Sequence, residues 1–143
     1  NRSNVSLASK WSQLRGYDLV HFKSYIDKKP TYHTNVLMFI TNKFAGICFD
    51  SISDSKNLLS NIEKTHKILN LSIEQVKNFS GNAIVVRNIN NEAKFLISTS
   101  GLKAFDLIQK RFIEKYYDIV DINIPTIEKI GGGSVRCMVL ELF

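Results

Sequence analysis

Val36-Leu37-Met38-Phe39-Ile40-Thr41-Asn42-Lys43-Phe44-Ala45-Gly46-Ile47-Cys48-Phe49 decides how this chain folds. Two apolar runs, Val36 to Thr41 and Phe44 to Phe49, flank Asn42-Lys43, which has the length and chemistry of a tight hairpin. Both runs are apolar on both faces, so they predict central strands. Ser53 or Asp54 then offers an N-cap for a helix to about His66, with Leu58, Leu59, Ile62 and Ile68 on its buried side. Ile68 to Leu71 follows as a short extended segment. The unit is strand, strand, helix, strand.

The same order returns downstream. Ala83 to Asn88 and Lys94 to Ser98 predict strands joined by the polar turn Asn90-Asn91-Glu92, followed by a helix from about Gly101 to Lys115 and a strand at Ile119 to Ile122. The units repeat in pattern, not residue by residue. Upstream, Ser6 to Arg15 predicts a helix with Val5, Leu7, Trp11 and Leu14 near one face and Gly16 as its C-terminal cap. Leu19 to Tyr25 reads as extended, and Asp27-Lys28-Lys29-Pro30 as a turn delivering Tyr32 and His33 to a buried strand. After Pro125, a short segment from Thr126 to Ile130 leads into a glycine loop, and Met138 to Phe143 reads as a terminal strand without a unit of its own. The expectation is an α/β chain that forms a piece of a cyclic array.

With 143 residues and 44% hydrophobic content, the chain suits one core and is short for two domains. No stretch reaches the roughly 18 apolar residues of a membrane helix. The polar start lacks a signal peptide's apolar region and an initiator Met, so the expectation is a soluble, cytoplasmic chain that begins inside something longer. Cys48 and Cys137 make no disulfide framework, which suits a reducing compartment. The net charge of +6 would suit nucleic acid, but Lys and Arg are scattered rather than aligned in a stripe.

Gly131-Gly132-Gly133-Ser134-Val135-Arg136-Cys137-Met138 carries the chemistry. Glycines let a backbone approach a ligand, and an adjacent cation with exposed amides favours thiolate over thiol, so Cys137 reads as a reactive thiol at the mouth of a strand. A nucleophile needs a base or acid, and three histidines are available. His66 sits among Lys64 and Lys67 as a surface residue, and His21 lies opposite Val20 in an extended run. His33, at the start of a strand beside a proline turn, is the candidate partner, although spacing alone favours a residue that only hydrogen-bonds there. Cys48 reads as apolar filler. No Cys or His pair has zinc-ligand spacing, and the glycine run lacks a P-loop's lysine and helix. Asp50, Glu128 and Glu141 are candidate carboxylates for a cationic substrate, each also readable as a cap or a solvated charge.

Tyr32-His33-Thr34-Asn35-Val36, Phe44 to Ile52, Phe79-Ser80-Gly81-Asn82 and Ile124-Pro125-Thr126-Ile127-Glu128 followed by Gly131 to Met138 resemble, in that order, the C-terminal half of the amidinotransferase-like, arginine-deiminase-related enzymes. Within them the chain is most similar to the citrulline-utilisation hydrolases, from about Tyr17 to Phe143. The resemblance implies a pentein-type α/β propeller of strand-strand-helix-strand units, with residues 1–143 as a single partial domain, its incomplete C-terminal half. It implies Cys137 as the nucleophile on a guanidinium or ureido carbon and His33 as the general acid and base. Gly81, Asn82, Arg136 and Gly133 would contact substrate, Arg136 through a substrate carboxylate. Arginine deiminases carry an acid two positions after the histidine, where this chain has Asn35.

The expectation is a hydrolase of the guanidino or ureido C–N bond of an arginine-like or citrulline-like amino acid, working through a covalent thiouronium-type adduct. The same residues leave open an amidinotransferase, or a non-catalytic remnant acting as a binding or assembly module. No metal or organic cofactor is implied, and neither nucleic acid nor membrane is an expected partner. Unpaired strand edges in half a propeller imply a second chain or a missing N-terminal half.

Overall fold

The structure, a computed structural model, describes residues 3–141. In chain order it runs α1 (Val5–Arg15), β1 (Lys23–Ile26), β2 (Lys29–Pro30), β3 (Met38–Ile40), β4 (Phe44–Ile47), β5 (Ile52–Ser53), α2 (Ser55–Ile62) and β6 (Lys67–Asn70). Then follow α3 (Ile73–Lys77), β7 (Ile84–Arg87), β8 (Ala93–Ser98), α4 (Thr99–Ala104), α5 (Leu107–Glu114), β9 (Asp118–Ile122) and α6 (Pro125–Gly131). Single 3₁₀ turns occupy Thr34–Val36, Phe49–Ser51 and Val135–Met138.

The two anticipated units form with one topology. In the first, β4 pairs antiparallel with β3 and parallel with β6; in the second, β8 pairs antiparallel with β7 and parallel with β9. The hairpin side of each unit is local, and the helix carries the chain over to the parallel edge. A third small sheet, β2-β1-β5, gives the described residues a mixed α/β architecture of three three-stranded sheets.

The units meet through aromatic rings. Phe44, fully buried on β4, lies 6.3 Å from Phe95 of β8, 5.1 Å from Phe112 of α5 and within 6 Å of Tyr116 and Tyr117. They are also fastened by polar groups. Ser72 with Gln75 and Asp106 with Gln109 form capping boxes on α3 and α5, and Gln75 Nε2 donates to Gln109 Oε1 at 2.6 Å. The capping boxes of α3 and α5 thus hold each other.

Several local expectations are corrected. The second apolar run stops at Ile47, because Phe49–Ser51 turns and feeds β5 back to β1. The helix expected to reach His66 ends at Ile62. The long helix from Gly101 splits at Phe105, whose buried side chain and extended backbone let Asp106 start α5 as a new N-cap. Leu7, Trp11 and Leu14 do share one face of α1, yet that face is exposed and Ser12 alone is buried. Thr126 to Ile130 belongs to α6, started by Pro125 at its first turn. The terminal strand does not form over the described part: Met138 ends a 3₁₀ turn and Val139 to Glu141 pair with no strand, while Leu142 and Phe143 lie outside the described residues.

Candidate functional site

Three loops meet around Cys137. The first, residues 79–83, connects α3 to β7 and is anchored by Ser80, whose fully buried hydroxyl donates to the Gly101 carbonyl at 2.9 Å. Its Gly81 lies against the backbone of the second loop. A Cβ there would stand 2.6 Å from the Val36 carbonyl oxygen and 2.9 Å from the Leu37 carbonyl carbon. Those atoms are main chain and have little room to retreat, so Gly81→Ala is expected to destabilise the protein by about 1–3 kcal/mol. Chemical denaturation measures it, and an unchanged midpoint would contradict the close approach.

Asn82, buried next to Gly81, uses its whole amide. Nδ2 donates to the Asn35 carbonyl at 2.7 Å and to Cys137 Sγ at 3.1 Å, while Oδ1 accepts the Cys137 amide at 3.4 Å. Asn35 Nδ2 approaches the same sulfur at 3.6 Å. Asn35 Oδ1 is buried and has no hydrogen-bond partner among the described residues. Two neutral amides therefore address the thiol, and donors aimed at sulfur suit its anionic form.

The third loop presents the thiol. Gly132, with φ +67°, caps α6 in the left-handed region, and a Cβ on Gly133 would sit 3.2 Å from Cys137 Sγ. The Cys137 amide donates to the Ser134 carbonyl at 3.0 Å, so the residue stands in a 3₁₀ turn rather than at a strand mouth. Its side chain is exposed, and both cysteines are free. Cys48 is the opposite case: it is fully buried, and burial pushes its thiol up, against hydrogen bonds from Ser51.

His33 does not begin a buried strand. It is exposed, precedes the Thr34–Val36 turn, and packs edge-on to Tyr32 at 5.0 Å between ring centroids. Residues just before and two after it touch the cysteine loop, Tyr32 by donating to the Gly132 carbonyl at 3.0 Å and Asn35 at the sulfur. The segment carrying the imidazole is therefore docked beside the thiol. The other two histidines stand apart from these contacts: His21 is exposed, and His66 Nδ1 is paired with Thr65 Oγ1 at 2.7 Å.

Arg136 is turned along its own loop, with Nη1 donating to the Val139 carbonyl at 3.4 Å and Nη2 3.7 Å from Glu141. Asp50 is exposed. Glu128 is buried beneath the glycine loop and accepts from Ser134 and Ser100. Of the residues singled out in the sequence, Cys137 and Asn82 come into contact and the segment carrying His33 lies beside them; the approach of the Asn35 side chain to sulfur and the Glu128 bridge are announced by no spacing. Among the described residues no three His, Cys, Asp or Glu side chains converge as metal ligands would, and no helix is long and apolar enough to cross a membrane.

Solved structures with this arrangement of elements place it among the pentein-type folds. The N-terminal domain of ArgZ, an arginine dihydrolase from cyanobacteria, bound to product, superposes with a TM-score of 0.71 at 12% identity, over 96% of this chain and 47% of that one. The same domain as a Cys-to-Ser mutant bound to substrate gives 0.69 at 11% identity, over 94% and 46%. Apo ArgZ gives 0.68 at 12%, over 94% and 20%. The chain thus spans about half the length of the ArgZ domain, 47% of it. More particularly, it belongs to the N,N dimethylarginine dimethylhydrolase, eukaryotic, family, whose model matches residues 1–143. No curated protein sequence matches it.

Proposed function

We propose that this chain is the cysteine-bearing, C-terminal half of a pentein-type propeller and hydrolyses a C–N bond in the guanidino or ureido group of an arginine-like amino acid. The observation that carries the reading is the convergence of the Asn82 amide, the Asn35 amide and the His33 segment on one exposed thiol. Family membership and the likeness to an arginine dihydrolase support the substrate class.

Cys137 Sγ attacks the central carbon and forms an S–C bond. A guanidinium carbon is a poor electrophile because its charge is delocalised, so the departing nitrogen must be protonated as its bond breaks. His33 delivers that proton, and the amine or ammonia leaves a thiouronium-type adduct. His33 then takes a proton from water, the hydroxide adds to the same carbon, and the S–C bond breaks to return the thiolate. An amine in place of water makes the same sequence an amidinotransferase.

Asn35 Oδ1, without a partner among the described residues, accepts an N–H of the bound group, a neutral acceptor where arginine deiminases use an acid. Arg136 serves a substrate carboxylate after leaving Glu141, a weak exposed pair. Gly133 keeps the sulfur approachable, and Gly81 acts by holding Asn82 in place. The remaining acidic groups come from a second chain or an N-terminal half, and two free thiols suit the cytoplasm.

His33→Gln is expected to lower release of ammonia or alkylamine from arginine, citrulline or N,N-dimethylarginine by about 100-fold. Turnover unchanged in that variant would remove His33 from the mechanism.

A further inference from the structure

Helix α6 is built inside out. Ile127 and Ile130 are exposed, Ile130 by 81%, while Glu128 alone is buried. Burying an isoleucine stabilises a fold and burying a carboxylate opposes it, so hydrophobic packing cannot explain this orientation. Among the described residues no cation pairs with Glu128. What it reaches instead are two hydroxyls on separate elements. Ser134 Oγ donates to Oε1 at 2.6 Å and Ser100 Oγ donates to Oε2 at 2.7 Å.

Those two contacts define a path to the thiol. Ser100 belongs to α4, directly after the central strand β8. Ser134 is fully buried at the end of the glycine run, and its carbonyl receives the Cys137 amide. Gly131, Gly132 and Gly133 bring no side chain with which to fix the loop, and glycine segments lose the most conformational freedom on ordering. We propose that Glu128 is a positioning residue for the nucleophile: its carboxylate bridges Ser100 to Ser134 and so holds Cys137 Sγ within reach of Asn82.

The proposal rests on Cys137 being the reactive thiol, but its test needs no substrate. The folded chain is treated with iodoacetamide at fixed pH, alkylation of Cys137 is followed by mass spectrometry, and buried Cys48 reports on unfolding. Glu128→Leu and Ser134→Ala are expected to slow Cys137 alkylation about fivefold, the loss of one donor bond to sulfur, while Cys48 stays unmodified. Glu128→Gln keeps the bridge, since its amide accepts from one serine and donates to the other, and is expected to stay within about twofold of the parent. If Glu128→Leu fails to fold, Ser134→Ala and Ser100→Ala carry the comparison.

A lowered melting temperature with unchanged alkylation in these variants would make Glu128 merely structural and overturn the proposal. Glu128→Gln as impaired as Glu128→Leu would overturn the bridging role. An unreactive Cys137 in the parent would instead overturn the nucleophile assignment, and absence of turnover on arginine derivatives with the alkylation pattern intact would count against the enzymatic reading alone.

Discussion

Cys137→Ser is expected to abolish turnover of guanidino or ureido substrates, with a loss of roughly 10⁴-fold or more, and to eliminate covalent labelling by haloacetamidine probes. The reason lies in the first bond formed. A serine hydroxyl at this position is a far weaker nucleophile than a thiolate, which is the form of sulfur that the Asn82 and Asn35 amides can meet. Cys48 cannot substitute, because it is fully buried and burial pushes its thiol up. Peptide mapping after labelling separates the two cysteines. Persistence of either turnover or labelling in the serine variant would refute the nucleophile assignment. The contrast with Glu128→Gln is informative, since that change should leave both the thiol and its setting in place.

Phe44→Ala is expected to destabilise the fold by about 3–5 kcal/mol, the largest stability effect foreseen. Phe44 is fully buried on the central strand of the first unit, and its ring touches Phe39 on the neighbouring strand. It also touches Phe95, Phe112, Tyr116 and Tyr117 from the second unit. Removing the ring leaves a cavity facing both units, and neighbouring aromatics held by their own strands and helices cannot collapse into it. Against a total stability of about 5–15 kcal/mol for such a domain, the loss is large. Urea denaturation monitored by far-UV circular dichroism measures it, with Ile108→Ala as a control at an 80% exposed site expected to be nearly neutral. A loss below 1 kcal/mol at Phe44 would mean that this seam does not hold the units together.

The repeat was legible because its cause is local. Apolar runs around Asn42-Lys43 and around Asn90-Asn91-Glu92 carry their own hairpin signals, and both hairpins form with a parallel third strand after a helix. Where a boundary depended on packing, local pattern misled. Phe105 interrupts an otherwise continuous helix because its side chain is drawn into the core. The apolar tail beginning at Met138 looked like a strand, but the residues before it are spent on a 3₁₀ turn that presents Cys137. The short α3 escaped notice although Ser72 and Gln75 carry the capping-box signature, because the helix holds only five residues and too little periodicity.

By itself the sequence determined the kind of protein and singled out a candidate thiol: an α/β repeat, a cysteine beyond a run of glycines, and motifs of a guanidine-modifying family, all of which are written in adjacent residues. Only the tertiary structure decided what surrounds that thiol. Asn82, Asn35 and the Tyr32–His33 segment come from distant parts of the chain and meet it because Gly81 lets two backbones touch and Ser80 pins one of them. Glu128 finds Ser100 and Ser134 in the same way, through a helix that turns its acid inward. Hydrogen bonds of 2.6–3.1 Å are directional and short-ranged, so they are specified by where folded elements come to rest and not by any spacing along the chain.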